Sequence, residues 1–310
     1  MAGKGAEYTY DTPLDRIAVE LKAFDLSVTA CQGEKCSVQV QGNGAERIEV
    51  GFEGGCLRIA ERAPALWEGA GEIRLSLPER VYADAQIVST SGDLSVKGLS
   101  AQKIALITAS GDISAGELKS DTFLEMESQS GDLELRNLAA KAISLTARSG
   151  DIDLSDGACP EALSIDSGSG DVTLISCKGG ELRLESASGD IEISTGEFER
   201  TFFIRTHSGD AEIKLSGDSG LIKSTSGDIR YIGSCREVML ESTSGDIRTL
   251  SEFDSIRISS VSGDIGITAR RPTVESIDAH TVSGDIDVWC TEQAAHRIRA
   301  QSTSGNVRKH

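Results

Sequence analysis

Between residues 86 and 310, apolar and polar side chains alternate in short runs that recur at a nearly fixed distance. Ile104 and Leu106, Leu124 and Met126, Ile143 and Leu145, and Leu163 and Ile165 form such runs. Leu182 and Leu184, Phe202 and Ile204, Val238 and Leu240, and Ile256 and Ile258 continue the series. A second set follows a break in each period: Leu94 and Val96, Leu133 and Leu135, Ile152 and Leu154, Ile191 and Ile193, Ile265 and Ile267, Ile286 and Val288. A period of two sends alternate side chains to one face, which predicts strands buried on one side. β-Branched residues are frequent in these runs and no stretch carries a 3.6-residue period, so essentially no helix is expected.

The break between the two sets is the tripeptide Ser-Gly-Asp. Its glycines are Gly92, Gly111, Gly131, Gly150, Gly170, Gly189, Gly209, Gly227, Gly245, Gly263 and Gly284, and a twelfth copy ends the series as Ser304-Gly305-Asn306. Successive glycines are 18 to 21 residues apart. That regularity predicts an all-β fold, a single-stranded parallel β-helix or β-solenoid, with about 12 regular coils and irregular coils before them. The apolar positions change parity across the tripeptide, so the chain must bend there. Glycine is expected because it tolerates a positive φ at a corner, and the Ser or Thr three residues earlier is expected to stack inside. The twelve glycines are therefore read as structural turn residues.

Residues 1–85 carry strand-like runs at 16–21, 36–42, 47–52, 56–60 and 72–78, with a loop expected over 61–71. They are expected to form irregular coils that cap the solenoid, with 86–310 as the regular repeat in one continuous domain. Arg308, Lys309 and His310 are expected to protect the other end against edge-to-edge growth.

Composition narrows the partners. Aromatic residues make up 4% of the chain, so Ile, Leu and Val must fill most of the interior. A net charge of −18 disfavours nucleic acid and anionic membrane surfaces. No run of the chain approaches the length of an apolar membrane span. The seven cysteines, at 31, 36, 56, 159, 177, 235 and 290, are odd in number and unrelated to the repeat. Together with a first segment lacking an apolar signal core, they favour a reducing, cytoplasmic setting. A removed signal would leave the same sequence, so the cell surface stays open.

Three features in order carry a family resemblance: "RIAVEL…DLSV", then "IEVGFEGGCLRIAE…EIRLSLPE", then the serial Ser-Gly-Asp copies. With these the chain resembles the bacterial putative-adhesin family, a domain of unknown function that forms β-solenoids. The resemblance runs from about residue 15 to 307 and implies a bacterial origin. It also implies a link to the cell envelope in some members and no catalytic residues to carry over.

Eleven aspartates in register are the obvious candidate chemistry: Asp93, Asp112, Asp132, Asp151, Asp171, Asp190, Asp210, Asp228, Asp246, Asp264 and Asp285. About 4.8 Å apart, neighbours would repel by roughly 0.9 kcal/mol in water, and calcium could neutralise such a ladder. The calcium β-roll signature is absent, and one carboxylate per coil suits a turn former. A structural Asp is thus the favoured reading and a weak calcium ladder the alternative. Cys31 and Cys36 lack a second ligand pair for zinc, and His207, His280, His296 and His310 are scattered. No nucleophile elbow is present. Arg183, Arg205, Arg230 and Arg248 are the outward charges that an active groove could use, and they are more simply solvating residues. A leucine-rich repeat is disfavoured because its Asn ladder is missing.

No catalytic residue, metal or cofactor is expected. The sequence reads as a non-catalytic scaffold or adhesin-like binding protein for a protein or glycan ligand. The alternatives are a polysaccharide-active β-helix enzyme and a structural protein that self-associates through its ends.

Overall fold

The computed structural model of the chain describes residues 6–11, 13–62, 71–271, 274–290 and 297–310. It is a β-solenoid of about 12 turns. The described residues are almost entirely strand and turn, and Ala45–Arg47 forms a single 3-10 turn. Most of the loop expected over 61–71 lies outside the described residues, as does His296. The chain divides into two compact units, Met1–Cys159 and Pro160–His310.

The first unit begins with strands β1 (Ala6–Tyr10), β2 (Arg16–Glu20), β3 (Asp25–Cys31), β4 (Cys36–Gly42), β5 (Ile48–Glu53), β6 (Cys56–Glu61) and β7 (Gly71–Pro78). β8 (Val81–Ser89) and β9 (Leu94–Lys97) follow. Their spatial order is not their chain order. β2 lies parallel between β6 and β8, and β3 lies parallel between β7 and β9. The coil made by β6 and β7 is therefore stacked outside the coil made by β2 and β3. β4 then pairs antiparallel with β7, and β1 antiparallel with β4. β5 and β6 form a hairpin through Gly54 and Gly55, whose φ values of +57° and +76° suit a tight two-residue turn. Antiparallel strands can be joined by such short turns, whereas parallel neighbours need a longer return path.

Glu61, at the end of β6, holds this region together. Its buried Oε2 accepts the backbone N–H groups of Lys22, Ala23 and Phe24 at 2.8, 2.9 and 3.3 Å. Arg47 stands 3.6 Å from the other carboxylate oxygen and 5.7 Å over the Phe24 ring.

In the second unit the turns stack in parallel, one residue opposite its equivalent. Ile191–Ser208, Ala211–Ser226, Ile229–Ser244 and Ile247–Ser262 each run from one corner to the next as one bent strand. Their inward columns are Ile, Leu and Val, as the alternation predicts. The scarce aromatics go inside too: Phe198, Phe202, Tyr231 and Phe253 are among the largest fully buried side chains. The last turn, Ile298–Ser304 and Val307–Lys309, pairs on one side only among the described residues. Arg308 folds back to Asp285 and Asp287 at 3.3 and 3.4 Å, and the His310 ring stacks on Trp289.

Candidate functional site

The Ser-Gly-Asp corner is a column of contacts between coils. In the first unit the Asp112 backbone N–H donates to Asp93 Oδ1, that of Asp132 to Asp112, and that of Asp151 to Asp132, at 2.9 to 3.0 Å. In the second unit the same bond recurs from Asp190 onto Asp171 through to Asp285 onto Asp264, at 2.8 to 2.9 Å. Each of these accepting carboxylates thus serves the next coil, where an Asx-type turn would have served its own. Asn306 closes the column, giving both its backbone and its side-chain N–H to Asp285. The backbone bond from Asn306 holds the Asp285 carboxyl below its ordinary pKa; burial opposes this, and the Asn306 amide and Arg308 add to it. Asp25 opens the column, accepting from the Asp93 N–H at 3.0 Å. It belongs to no Ser-Gly-Asp copy, but "DLSV" at 25–28 repeats "DLSV" at 93–96 and is the signal that marks it.

The glycines are required by close stacking. A Cβ on Gly111 would lie 2.3 Å from the Gly92 carbonyl oxygen, and one on Gly227 would lie 2.2 Å from that of Gly209. Positive φ is only half the explanation. It holds in the second unit, from Gly170 at +124° to Gly305 at +159°, whereas Gly92, Gly111, Gly131 and Gly150 lie outside the left-handed region. The buried hydroxyls follow the same division. Ser89, Thr108 and Ser128 accept the N–H of Gly92, Gly111 and Gly131 at 2.7 to 3.0 Å. In the second unit Gly209, Gly227 and Gly245 donate instead to the serine carbonyl of the next coil. There the hydroxyls of Ser186 and Thr206 donate to carbonyls of their own corners.

The aspartate column runs beside a trough of about 660 Å³ in the first unit, lined by Asp93, Asp112, Asp132, Asp151, Asp153 and Glu134 among others. No group of three or more His, Cys, Asp or Glu side chains has a metal-binding arrangement among the described residues. Cys36 and Cys235 are buried, and burial above all pushes their thiols up to about 11. They are therefore thiols, not thiolate nucleophiles, at neutral pH. The outward arginines are dispersed. Arg248 pairs with Asp246 at 2.7 Å, and Arg183 pairs with Glu185 and lies 5.0 Å over the Phe203 ring. Arg230 stands opposite Arg248, on the strands after the corner, while Arg183 and Arg205 lie on the strands before it.

A larger concavity lies elsewhere, on the outward face of the second unit. It is a groove of about 960 Å³ over the strands that precede the corners. Six residues in register form its central column: Phe203, Leu221, Met239, Arg257, Asp278 and Arg299. In the first unit the equivalent column reads Gln86, Ala105, Glu125 and Ser144, which is the polar or small pattern expected of a solvated face. Three consecutive large apolar residues, all half-buried, break that pattern. Beneath them Gly220 occupies an inward position, and the Phe202 ring fills the space its side chain would take, 2.0 Å from an added Cβ. Phe203, Leu221 and Met239 are exceptions to the repeat, so the recurrence that marks the inward ladders in the sequence gives no sign of this column.

The sequence profile described as Toastrack DUF4097 matches residues 14–231 and 180–310. The chain belongs to this family. A solved structure from Bacteroides fragilis, described as a "putative adhesin", is 16% identical; the match covers 80% of this chain and 97% of that one, with a TM-score of 0.38. One from Parabacteroides distasonis with the same description is 12% identical and covers 99% and 98%, with a TM-score of 0.37. A third, from Parabacteroides distasonis and described as a "putative lipid binding protein", is 13% identical, covers 99% and 94%, and has a TM-score of 0.23. Likeness at this level carries no argument about function. A search of the curated proteins found no match. No helix among the described residues is long and apolar enough to cross a membrane.

Proposed function

We propose that this Toastrack-family chain is a non-catalytic binding scaffold of adhesin-like type, whose outward strand columns present the ligand-contacting surface. One observation carries the reading: the groove over Phe203, Leu221 and Met239, where a solvated column becomes apolar for three successive coils. Inward positions are dictated by packing and corner positions by stacking, so outward positions are where sequence is free to serve a partner. The Ser-Gly-Asp column belongs to the first kind. Its carboxylates are used in backbone hydrogen bonds between coils, and the eleven aspartates are assigned to the architecture.

The test is a binding survey of purified bacterial envelope glycans and proteins, run on the wild-type chain and on Leu221→Thr. The variant keeps a strand-forming residue and removes the centre of the apolar column. A partner whose affinity falls about tenfold or more in the variant, with the thermal midpoint unchanged, supports the reading. Partners indifferent to Leu221 would move the binding surface elsewhere, and turnover of any glycan in the survey would overturn the non-catalytic assignment.

A further inference from the structure

The chemistry of the groove narrows its ligand. The apolar part is one side chain wide and three coils long, so Phe203 to Met239 spans about 10 Å across the strands. The column on one side reads Thr201, Ser219, Glu237, Ser255 and Ser276. The column on the other reads Arg205, Lys223, Glu241, Ser259 and His280. An amphipathic helix presents an apolar stripe about 100° wide, several side chains across, and would leave much of it over these polar columns. A single extended aliphatic chain fits the width.

The charged end sets the other half of the ligand. One coil beyond Met239 stands Arg257, which pairs with Asp278 of the following coil at 3.7 Å. In the last coil Arg297 and Arg299 flank the inward-facing Ile298, which puts both guanidinium groups on the groove side. Neither has an ion-pair partner among the described residues; Arg297 donates weakly to the Val274 carbonyl at 3.4 Å. The carboxylates lining the groove are Glu237, bound to Arg236, Asp278, bound to Arg257, and Glu275; Glu241, in the column beside it, pairs with Lys223. In a chain of net charge −18, two unpaired arginines side by side at the end of the groove, three coils or about 14 Å beyond Met239, are matched by an anionic head group.

We infer that the groove binds a single-chain amphiphile, its aliphatic tail along Phe203, Leu221 and Met239 and its carboxylate or phosphate head on Arg297 and Arg299. This rests on the binding reading above and names its ligand class. Burial of the tail supplies the driving force, and the paired guanidinium groups select charge and direction.

From Phe203 to Arg299 the column spans five coil spacings, about 24 Å, so the probe is a long-chain amphiphile. The full chain is titrated calorimetrically with sodium oleate, hexadecyltrimethylammonium bromide and sodium butyrate, each below micelle-forming concentrations. Oleate is expected to bind one to one and at least about tenfold more tightly than either control. R297Q/R299Q, on exposed positions, should weaken oleate about tenfold and leave the cationic amphiphile unchanged. Leu221→Thr should weaken oleate by a similar factor, and Met239→Thr offers the same readout if that variant folds poorly. Equal affinity for both amphiphiles, many-site binding, or indifference to all three variants would mean surfactant adsorption and overturn the assignment. Absence of oleate binding overturns it as well. In that case the scaffold reading is judged separately, by whether any surveyed envelope partner depends on Leu221.

Discussion

The glycine of each corner is held by its neighbour's backbone. At Gly245 the two constraints on glycine coincide, since φ is +133° and an added Cβ would lie 2.2 Å from the Gly227 carbonyl oxygen. Neither can relax without separating two coils, because the clash is with backbone and not with a flexible side chain. Gly245→Ala is therefore expected to destabilise by about 3 kcal/mol in denaturant unfolding, while Gly266→Ala, whose nearest neighbour would be Arg248 Cγ at 3.7 Å, should be close to neutral. Equal effects at the two sites would remove close stacking as the reason for the repeat. The serine column is less uniform than its recurrence suggests. Ala147 stands in it without a hydroxyl, and the Ser242 and Ser260 hydroxyls have no hydrogen-bond partner. A small side chain is what the corner needs everywhere, and a hydroxyl only where it caps an N–H.

Coil length is decided at the second corner, six residues after each glycine. Gly98, Glu117, Asn137, Asp156, Ser176 and Thr195 occupy that position with φ between +54° and +74°. The strand Ile191–Ser208 pairs with Ala211–Ser226 through two irregularities, one at Ile193/Gly196 and one at Phe198/Thr201. Each is one residue present in the earlier coil and absent from the later one. These two deletions turn a 20-residue coil into the 18-residue coils that follow, and the left-handed residue disappears with the first of them. Leu221 and Met239 of the apolar groove column lie in these 18-residue coils, and Phe203 in the last 20-residue coil before them. Thr195 carries the cost of the longer form, because a β-branched residue is poorly suited to positive φ. Thr195→Gly, at an exposed position, is expected to stabilise the chain by up to about 1 kcal/mol after the extra flexibility of unfolded glycine is counted. A loss of stability in thermal or denaturant unfolding would contradict this.

At the scale of the whole molecule, charge is the dominant long-range term. A net charge of −18 with aspartates stacked at every coil is self-repelling, so the thermal midpoint should rise with sodium chloride as screening increases. Calcium at matched ionic strength should add nothing further if the aspartate column is architectural. A calcium-specific rise of several degrees would reassign it to ion binding. Acid acts through a few pairs. Glu72 and Asp218 are held below their ordinary values chiefly by hydrogen bonds from Arg74 and Arg236, Glu212 by Lys214, and Asp285 by Asn306. A lowered folded pKa gives stability that is present above the ordinary carboxylate range and is lost as pH falls through the folded value. The midpoint should accordingly fall below about pH 4, and Asp285→Asn, which keeps an acceptor for Asn306, should flatten part of that fall.

Alternation and a tripeptide every 18 to 21 residues were enough to read the strands, the inward Ile, Leu and Val columns and the solenoid itself. Those properties are local or repeat identically, so each copy reports the same constraint. Tertiary structure alone decided three things. It stacked the β6–β7 coil outside β2–β3 with antiparallel strands beyond it, because strand order depends on which edges meet and not on chain order. It divided the glycine corners into two hydrogen-bonding forms, because an N–H chooses between a hydroxyl below it and a carbonyl beside it. And it gathered Phe203, Leu221, Met239, Arg297 and Arg299 onto one face, because residues about 20 apart in the chain become neighbours only when the coils are stacked in register.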